Sequence, residues 1–334
     1  MLKRLMSVGL MLVLMLSLLA GCGKSVTDKG TNENAESAAN FPEKGITAIC
    51  PWSAGGGTDT VLRGLTQATE KELGQTITVA NQTGGGGAIG HAAIISAPND
   101  GYTVGMITFE LNSLPPQGLV PFTSADLDPL LRVNMDAAAV TVKADAPYNT
   151  MDEFIEYAKA HPAELNIGNS GAGAVWHIAA GLLAEQADVE FSYVPFEGAA
   201  PAITALVGGH IDAVSVSAAE VQGQVQAGDL KILGVMSDER LELFPDVPTM
   251  KEQGYAVSFG TWRGIAIPTG TPESIKTILA EAFKKGLESE EFVAYAKNSG
   301  LVVAYQNSDD FKAFIATNAE EVATVMKSLG LAAK

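Results

Sequence analysis

Three times in this chain an apolar, strand-like run delivers a glycine-rich turn to the start of a helical pattern. The turns are Ser53-Ala54-Gly55-Gly56-Gly57-Thr58-Asp59, Thr83-Gly84-Gly85-Gly86-Gly87 and Asn169-Ser170-Gly171-Ala172-Gly173. Parallel strands need long connections, usually helical, so this order predicts a mostly parallel sheet with crossover helices. Glycine tolerates positive φ and lets a ligand approach the backbone, while first-turn N–H groups of a helix lack internal partners and carry partial positive charge. Such turns can hold an anion without a basic side chain. Each alone also reads as a tight βα connection; three at the carboxyl ends of strands favour a site, because ligands of open α/β sheets bind at that edge.

The pattern divides the chain. Strands are expected at Ile46–Cys50, Ile77–Ala80 and Tyr102–Phe109, with Thr58 or Asp59 as the N-cap of the first helix and Val61, Leu62 and Leu65 on its apolar stripe. Thr150-Met151-Asp152-Glu153 forms a capping box, so a new unit begins after Val140–Val142, with a crossover near 143–149. Strands Leu165–Gly168, Phe191–Val194, Ala213–Val216 and Lys231–Val235 follow, and the chain returns within 236–262 to strand Trp262–Ile267 and the last helices. Two lobes result, 44–143 with 262–334 and 144–261, a division suited to about 295 residues.

Ahead of them, Lys3 and Arg4 precede an apolar run from Leu5 to Leu19 and the small-residue site Ala20-Gly21-Cys22, the pattern of a signal peptide over 1–21. Leu19-Ala20-Gly21-Cys22 resembles a bacterial lipobox, which implies acylation of Cys22, and the polar stretch over 22–43 is expected to be a disordered tether. Loss of Lys3 and Arg4 takes the net charge from −17 to −19, which argues against nucleic-acid or anionic-lipid partners. Cys50 is the other cysteine and reads as a small core residue. His91, His161, His177 and His210 have no partner at ligand spacing, so no metal is expected.

Gly85-Gly86-Gly87-Ala88-Ile89-Gly90, with Glu110 after the next strand, matches the dinucleotide fingerprint in outline. Export and the placement on the second strand unit oppose an NAD-dependent oxidoreductase, and no cofactor is expected. No glycine loop continues into Lys-Ser or Lys-Thr, and no Gly-x-Ser-x-Gly elbow is present.

Pro51-Trp52-Ser53-Ala54-Gly55-Gly56-Gly57-Thr58-Asp59 resembles the Pro-x-x-x-Gly-Gly-x-Thr-Asp loop of the receptors of tripartite tricarboxylate transporters, the Bug-type proteins. Val79-Ala80-Asn81-Gln82-Thr83-Gly84, Pro98-Asn99-Asp100-Gly101-Tyr102-Thr103, Gly168-Asn169-Ser170-Gly171, Val194-Pro195-Phe196-Glu197-Gly198 and Pro245-Asp246-Val247-Pro248-Thr249 match in order. The resemblance implies an α/β type II periplasmic-binding-protein fold whose two lobes, joined by hinge crossovers, close on a small carboxylate. It implies a monomeric, non-enzymatic receptor, exported, lipid-anchored on the outer face of the cytoplasmic membrane, that serves membrane permease subunits. A ligand sensor for signalling would use the same fold. Carried over, it points to Ser53, Gly56, Gly57, Thr58, Asp59, Asn169, Ser170 and Ala172, with His177 downstream and Thr108 at the distal ligand end. Departures are Glu110 and Glu197. Glu110 is expected in solvent; facing the cleft, it would disfavour a second carboxylate and favour an ammonium group. Arg263 is expected to pair with a neighbouring acid rather than with a ligand.

Overall fold

The computed structural model describes residues 40–333, of which Phe41 onward forms one contact unit. The signal peptide, Cys22 and nearly all of the tether lie outside the described residues. Phe41 is buried against Tyr102, ring centroids 5.0 Å apart, so packing of the body begins there. No helix of the described residues is long and apolar enough to cross a membrane.

The chain opens with strand β1 (Ile46–Cys50), helix α1 (Gly57–Leu73), β2 (Ile77–Asn81), α2 (Ala88–Ile95) and β3 (Thr103–Thr108). A single-turn helix α3 (Glu110–Ser113) leads to the long strand β4 (Leu127–Lys143), followed by α4 (Met151–Ala160) and β5 (Asn166–Asn169). Helix α5 (Val175–Ala187), β6 (Ser192–Pro195), α6 (Ala199–Val207), β7 (Ala213–Ser217), α7 (Ala218–Ala227) and β8 (Leu230–Val235) come next. The return runs through β9 (Gly260–Pro268), α8 (Glu273–Glu288), α9 (Glu290–Asn298), β10 (Val303–Asn307) and α10 (Ser308–Ser328).

The strand order is β2-β1-β3-β9-β4-β7-β5-β6, with β8 and β10 also paired to β4. The expectation of a mostly parallel sheet needs correction: β1–β2, β1–β3, β5–β6 and β5–β7 are parallel, but every pairing of β4 and β9 is antiparallel. Those two strands cross between the halves of the molecule. β4 pairs with β9 through Ala137 and with β7 from Ala138, so the ladder changes partners inside one continuous strand and not in the 143–149 loop.

Helix α1 begins earlier than its polar residues suggest. Gly56 in extended conformation is its N-cap, which places Thr58 and Asp59 inside the first turn. A continuous core runs from Ile49, Ile94 and Ile107 through Phe109 and Trp262 to Phe154, Ile178 and Leu206. The strands therefore hold their glycine turns on a common rigid base. Cys50 is fully buried on β1, its thiol donating to the Trp52 carbonyl at 3.6 Å, and burial pushes its pKa up to about 12. It is an inert core residue.

Candidate functional site

The first glycine turn is fastened from below by Asp59. Its carboxylate accepts Gly55 N–H at 2.9 Å, Arg63 Nε at 2.9 Å and Asn81 Nδ2 at 2.8 Å. Burial alone would raise this carboxyl, but the hydrogen bonds from Arg63, Gly55 and Asn81 outweigh it and hold the pKa below the usual range. Asp59 shapes the loop and does not line the cleft. In the third turn Asn169 Oδ1 accepts Gly171 N–H at 2.9 Å, and His177 Nδ1 accepts Gly173 N–H at 2.9 Å. The second turn is a run of four glycines at positive φ, ending where His91 Nδ1–H donates to the Gly87 carbonyl at 2.8 Å. His91 Nε2 then accepts Thr108 N–H at 3.2 Å, tying that turn to the end of β3. Burial lowers the His91 pKa to about 4, which keeps the ring neutral for this double role.

Between the first and third turns lies a narrow cavity of about 20 Å³, room for about one water. Ser53, Gly56, Gly57, Thr58 and Thr108 line it from the first half and Ser170 from the second, with Trp52, Trp176, Val175 and Ala199 as further walls. Two hydroxyls here are buried without partners, Ser53 Oγ and Ser170 Oγ; Asn169 Nδ2 is also buried and unpartnered, but Asn169 is not part of the cavity wall. A native interior leaves few such groups unpaired, so these are donors awaiting an acceptor.

The charged groups of the cavity are arranged reciprocally. Glu110, from the first half, accepts the N–H of Val175 at the start of α5 at 3.0 Å. Glu220, from the second half, accepts the N–H of Gly57 at the start of α1 at 3.0 Å. Each half thus lends a carboxylate to the other's helix N-terminus, where the partial positive charge favours it. Glu110 also accepts the Thr108 hydroxyl at 2.5 Å, and Thr108 Oγ1 accepts Trp52 Nε1–H at 3.3 Å. Glu220 completes a capping box, accepting Ser217 N–H and Ser217 Oγ, each at 3.0 Å.

Arg263 stands among these acids. Its Nη1 donates to Asp136 Oδ2 at 2.6 Å, Nε donates to Thr58 Oγ1 at 2.9 Å, and Nη2 lies 3.8 Å from Glu220 Oε1. The ion pair anticipated for Arg263 is present, and the guanidinium also faces the cavity. Glu110 corrects its expectation outright: it is 1% exposed and lines the cavity, because α3 turns back at the end of β3 and aims it at α5. Burial raises its pKa, against hydrogen bonds from Thr108 and Val175 that lower it.

Other expected positions fall outside. Ala172 is exposed, and Glu197 is exposed and absent from the cavity wall. His177 is half-buried against Tyr193, ring centroids 4.5 Å apart, with its pKa lowered by burial. The acid that dinucleotide spacing would assign to a ribose is Glu110, already bound to Val175 and Thr108. Unanticipated contributors are Glu220, Thr261, Trp176 and Ala199, besides His91 below them. The motif Ser217-Ala218-Ala219-Glu220 announced the capping box and so the helix carrying Glu220.

The sequence model described as the tripartite tricarboxylate transporter family receptor matches residues 61–331. Among solved structures, a TctC solute-binding protein from Polaromonas, with no ligand, is 39% identical and superposes with a TM-score of 0.64, over 86% of this chain and 100% of its own. The periplasmic binding protein BugD is 29% identical at a TM-score of 0.83, over 88% of this chain and 100% of its own. MatC from Rhodopseudomonas palustris, with bound malate, is 26% identical at a TM-score of 0.79, over 85% of this chain and 99% of its own. These likenesses give the chain the α/β periplasmic-binding-protein fold.

Proposed function

The chain belongs to the tripartite tricarboxylate transporter receptor family, and from that premise we propose that it is an extracytoplasmic receptor that captures a small organic carboxylate and hands it to a membrane permease. The observation that carries this reading is the pair of unpartnered hydroxyls, Ser53 Oγ and Ser170 Oγ, which reach one cavity from opposite halves of the sheet. A carboxylate has about four acceptor sites and would satisfy both. The malate of MatC is of the same chemical class.

The two lobes meet where β4 changes partners, so the first runs to Ala137 and resumes with β9, the second begins at Ala138, and β4 and β9 form the crossings that flex. Support comes from the superpositions: the more similar Polaromonas protein fits less well than BugD, as two lobes at a different mutual angle would make it. Cys22 anchors the mature chain through lipid on the outer face of the cytoplasmic membrane, and the polar stretch behind it lets the body dock on its permease. The role is binding rather than catalysis. His177 Nδ1 holds Gly173 N–H, and Ser170 Oγ is hydrogen-bonded to no base among the described residues.

Thermal unfolding of the purified protein against mono-, di- and tricarboxylates tests the reading. A bound acid at a hundredfold excess over its Kd stabilises the fold by about 2.7 kcal/mol. Absence of a midpoint shift with every acid would defeat the proposal, as would a shift with NAD alone.

A further inference from the structure

We infer that the ligand carries a single carboxylate and an ammonium group, a small amino acid without a second acid, and that Glu110 is the residue that selects it. This deepens the receptor reading above and rests on it.

Charge within the cavity is unbalanced. Two acids, Glu110 and Glu220, and one cation, Arg263, line its wall; Arg263 is already paired with Asp136, which is not part of that wall, and all four side chains are at least nine-tenths buried. The guanidinium is already engaged by Asp136, Glu220 and Thr58. Its remaining N–H groups lie beside Glu220, with Nη2 3.8 Å from Glu220 Oε1, so a distal ligand carboxylate reaching them would be buried next to that acid. Both helix N-termini that could serve instead are already occupied by the protein's own carboxylates, Glu220 on Gly57 and Glu110 on Val175. A second ligand carboxylate would have to displace one of them and be buried beside the other, and buried like charges without counterions are strongly unfavourable. An added cation would instead relieve the excess.

The two glutamates are not equivalent. Glu220 accepts three hydrogen bonds, from Gly57 N–H, Ser217 N–H and Ser217 Oγ, and has Arg263 Nη2 3.8 Å away. Glu110 accepts two hydrogen bonds and keeps spare acceptor positions. An ammonium group, with three donors, fits that remainder. The ligand carboxylate has its own donors in Ser170 Oγ, 3% exposed and unpartnered, and Ser53 Oγ. Trp52, Trp176, Val175 and Ala199 leave apolar wall for the rest of the molecule.

Calorimetric titration with matched pairs decides the matter: propionate with alanine, 4-methylpentanoate with leucine, and succinate with aspartate. The amino monocarboxylates are expected to bind about tenfold or more tighter than their plain partners and than succinate, one charge-assisted contact being worth that factor. Glu110→Gln should bring the ratio close to one. If that variant fails to fold, Glu220→Gln should shrink the ratio by removing charge alone, and the wild-type ratio is decisive without either. Equal or tighter binding of the plain acids or of succinate overturns the inference while leaving the receptor reading intact. Binding of none of the six acids overturns this inference too, and leaves the receptor reading to the wider panel of mono-, di- and tricarboxylates above.

Discussion

His91 couples the site to pH through the fold itself. The ring is fully buried, donates to Gly87, accepts from Thr108, and has its pKa lowered from the usual 6.5 to about 4. Between those values the unfolded chain binds a proton that the folded chain refuses, so stability falls as pH drops through about 6.5 and levels off below about 4. The span of about 2.5 units corresponds to roughly 3 kcal/mol, of which about 2 kcal/mol is lost by pH 5. Protonation would set a second ring N–H against the Thr108 N–H, loosening β3 where Thr108 meets Glu110. The measurement is urea unfolding of wild type and His91→Gln at pH 7, 6 and 5. Asp59, with its lowered pKa, loses its share of stability only at lower pH, and Glu110, with its raised pKa, contributes with the opposite sign. Both are present in the variant and cancel. The stability difference between the two proteins should shrink by about 2 kcal/mol from pH 7 to pH 5. A constant difference would refute the reasoning.

Ser170→Ala should leave stability within about 0.5 kcal/mol, since Oγ has no partner to lose, yet weaken carboxylate binding about tenfold; unchanged affinity in the titration would remove Ser170 from the site. Arg263→Met leaves Asp136 and Glu220 buried without their counterion and should cost about 3–5 kcal/mol in urea unfolding. A loss below about 1 kcal/mol would mean that the pair is not carrying the charge of the cavity. Gly57→Ala places a Cβ 2.6 Å from Glu220 Oε1 and 2.8 Å from Arg263 Nη2 and should destabilise by about 1–3 kcal/mol; a neutral effect would show that these side chains do not close on the helix start.

The glycine turns were legible because glycine marks backbone geometry directly, and Ser53, Gly57 and Ser170 sit in or beside them. β4 was not legible beyond Val140–Val142. Pro129, Asn134 and Asp136 interrupt its alternation, two register shifts bend it, and Ala137-Ala138-Ala139 has little strand propensity. What holds that strand extended is its partners on both sides. Glu110 was misplaced for a related reason, because the group that draws it inward is the Val175 N–H, 65 residues later. The Asp136 partner of Arg263 lies 127 residues earlier. Local pattern finds the backbone that can hold an anion, and only tertiary contact shows which anion is already there.

That distinction bears on how a ligand closes the cleft. Parting the two halves breaks Gly57–Glu220 and Val175–Glu110 together, and both carboxylates then recover hydration in place of one backbone hydrogen bond each. Since hydration of a carboxylate offsets most of what such a bond contributes, reciprocal capping sets the geometry of closure more than its depth. The decisive term falls to whatever neutralises the remaining negative charge while satisfying Ser53 and Ser170. Long-range attraction points the same way, because a chain of net charge −17 repels an approaching dianion and exerts no net force on a zwitterion. Selection by charge therefore acts with one sign during approach and again inside the closed cavity. Raising the ionic strength should narrow the association-rate gap between alanine and succinate, while the affinity ratio set by the buried Glu110 changes little.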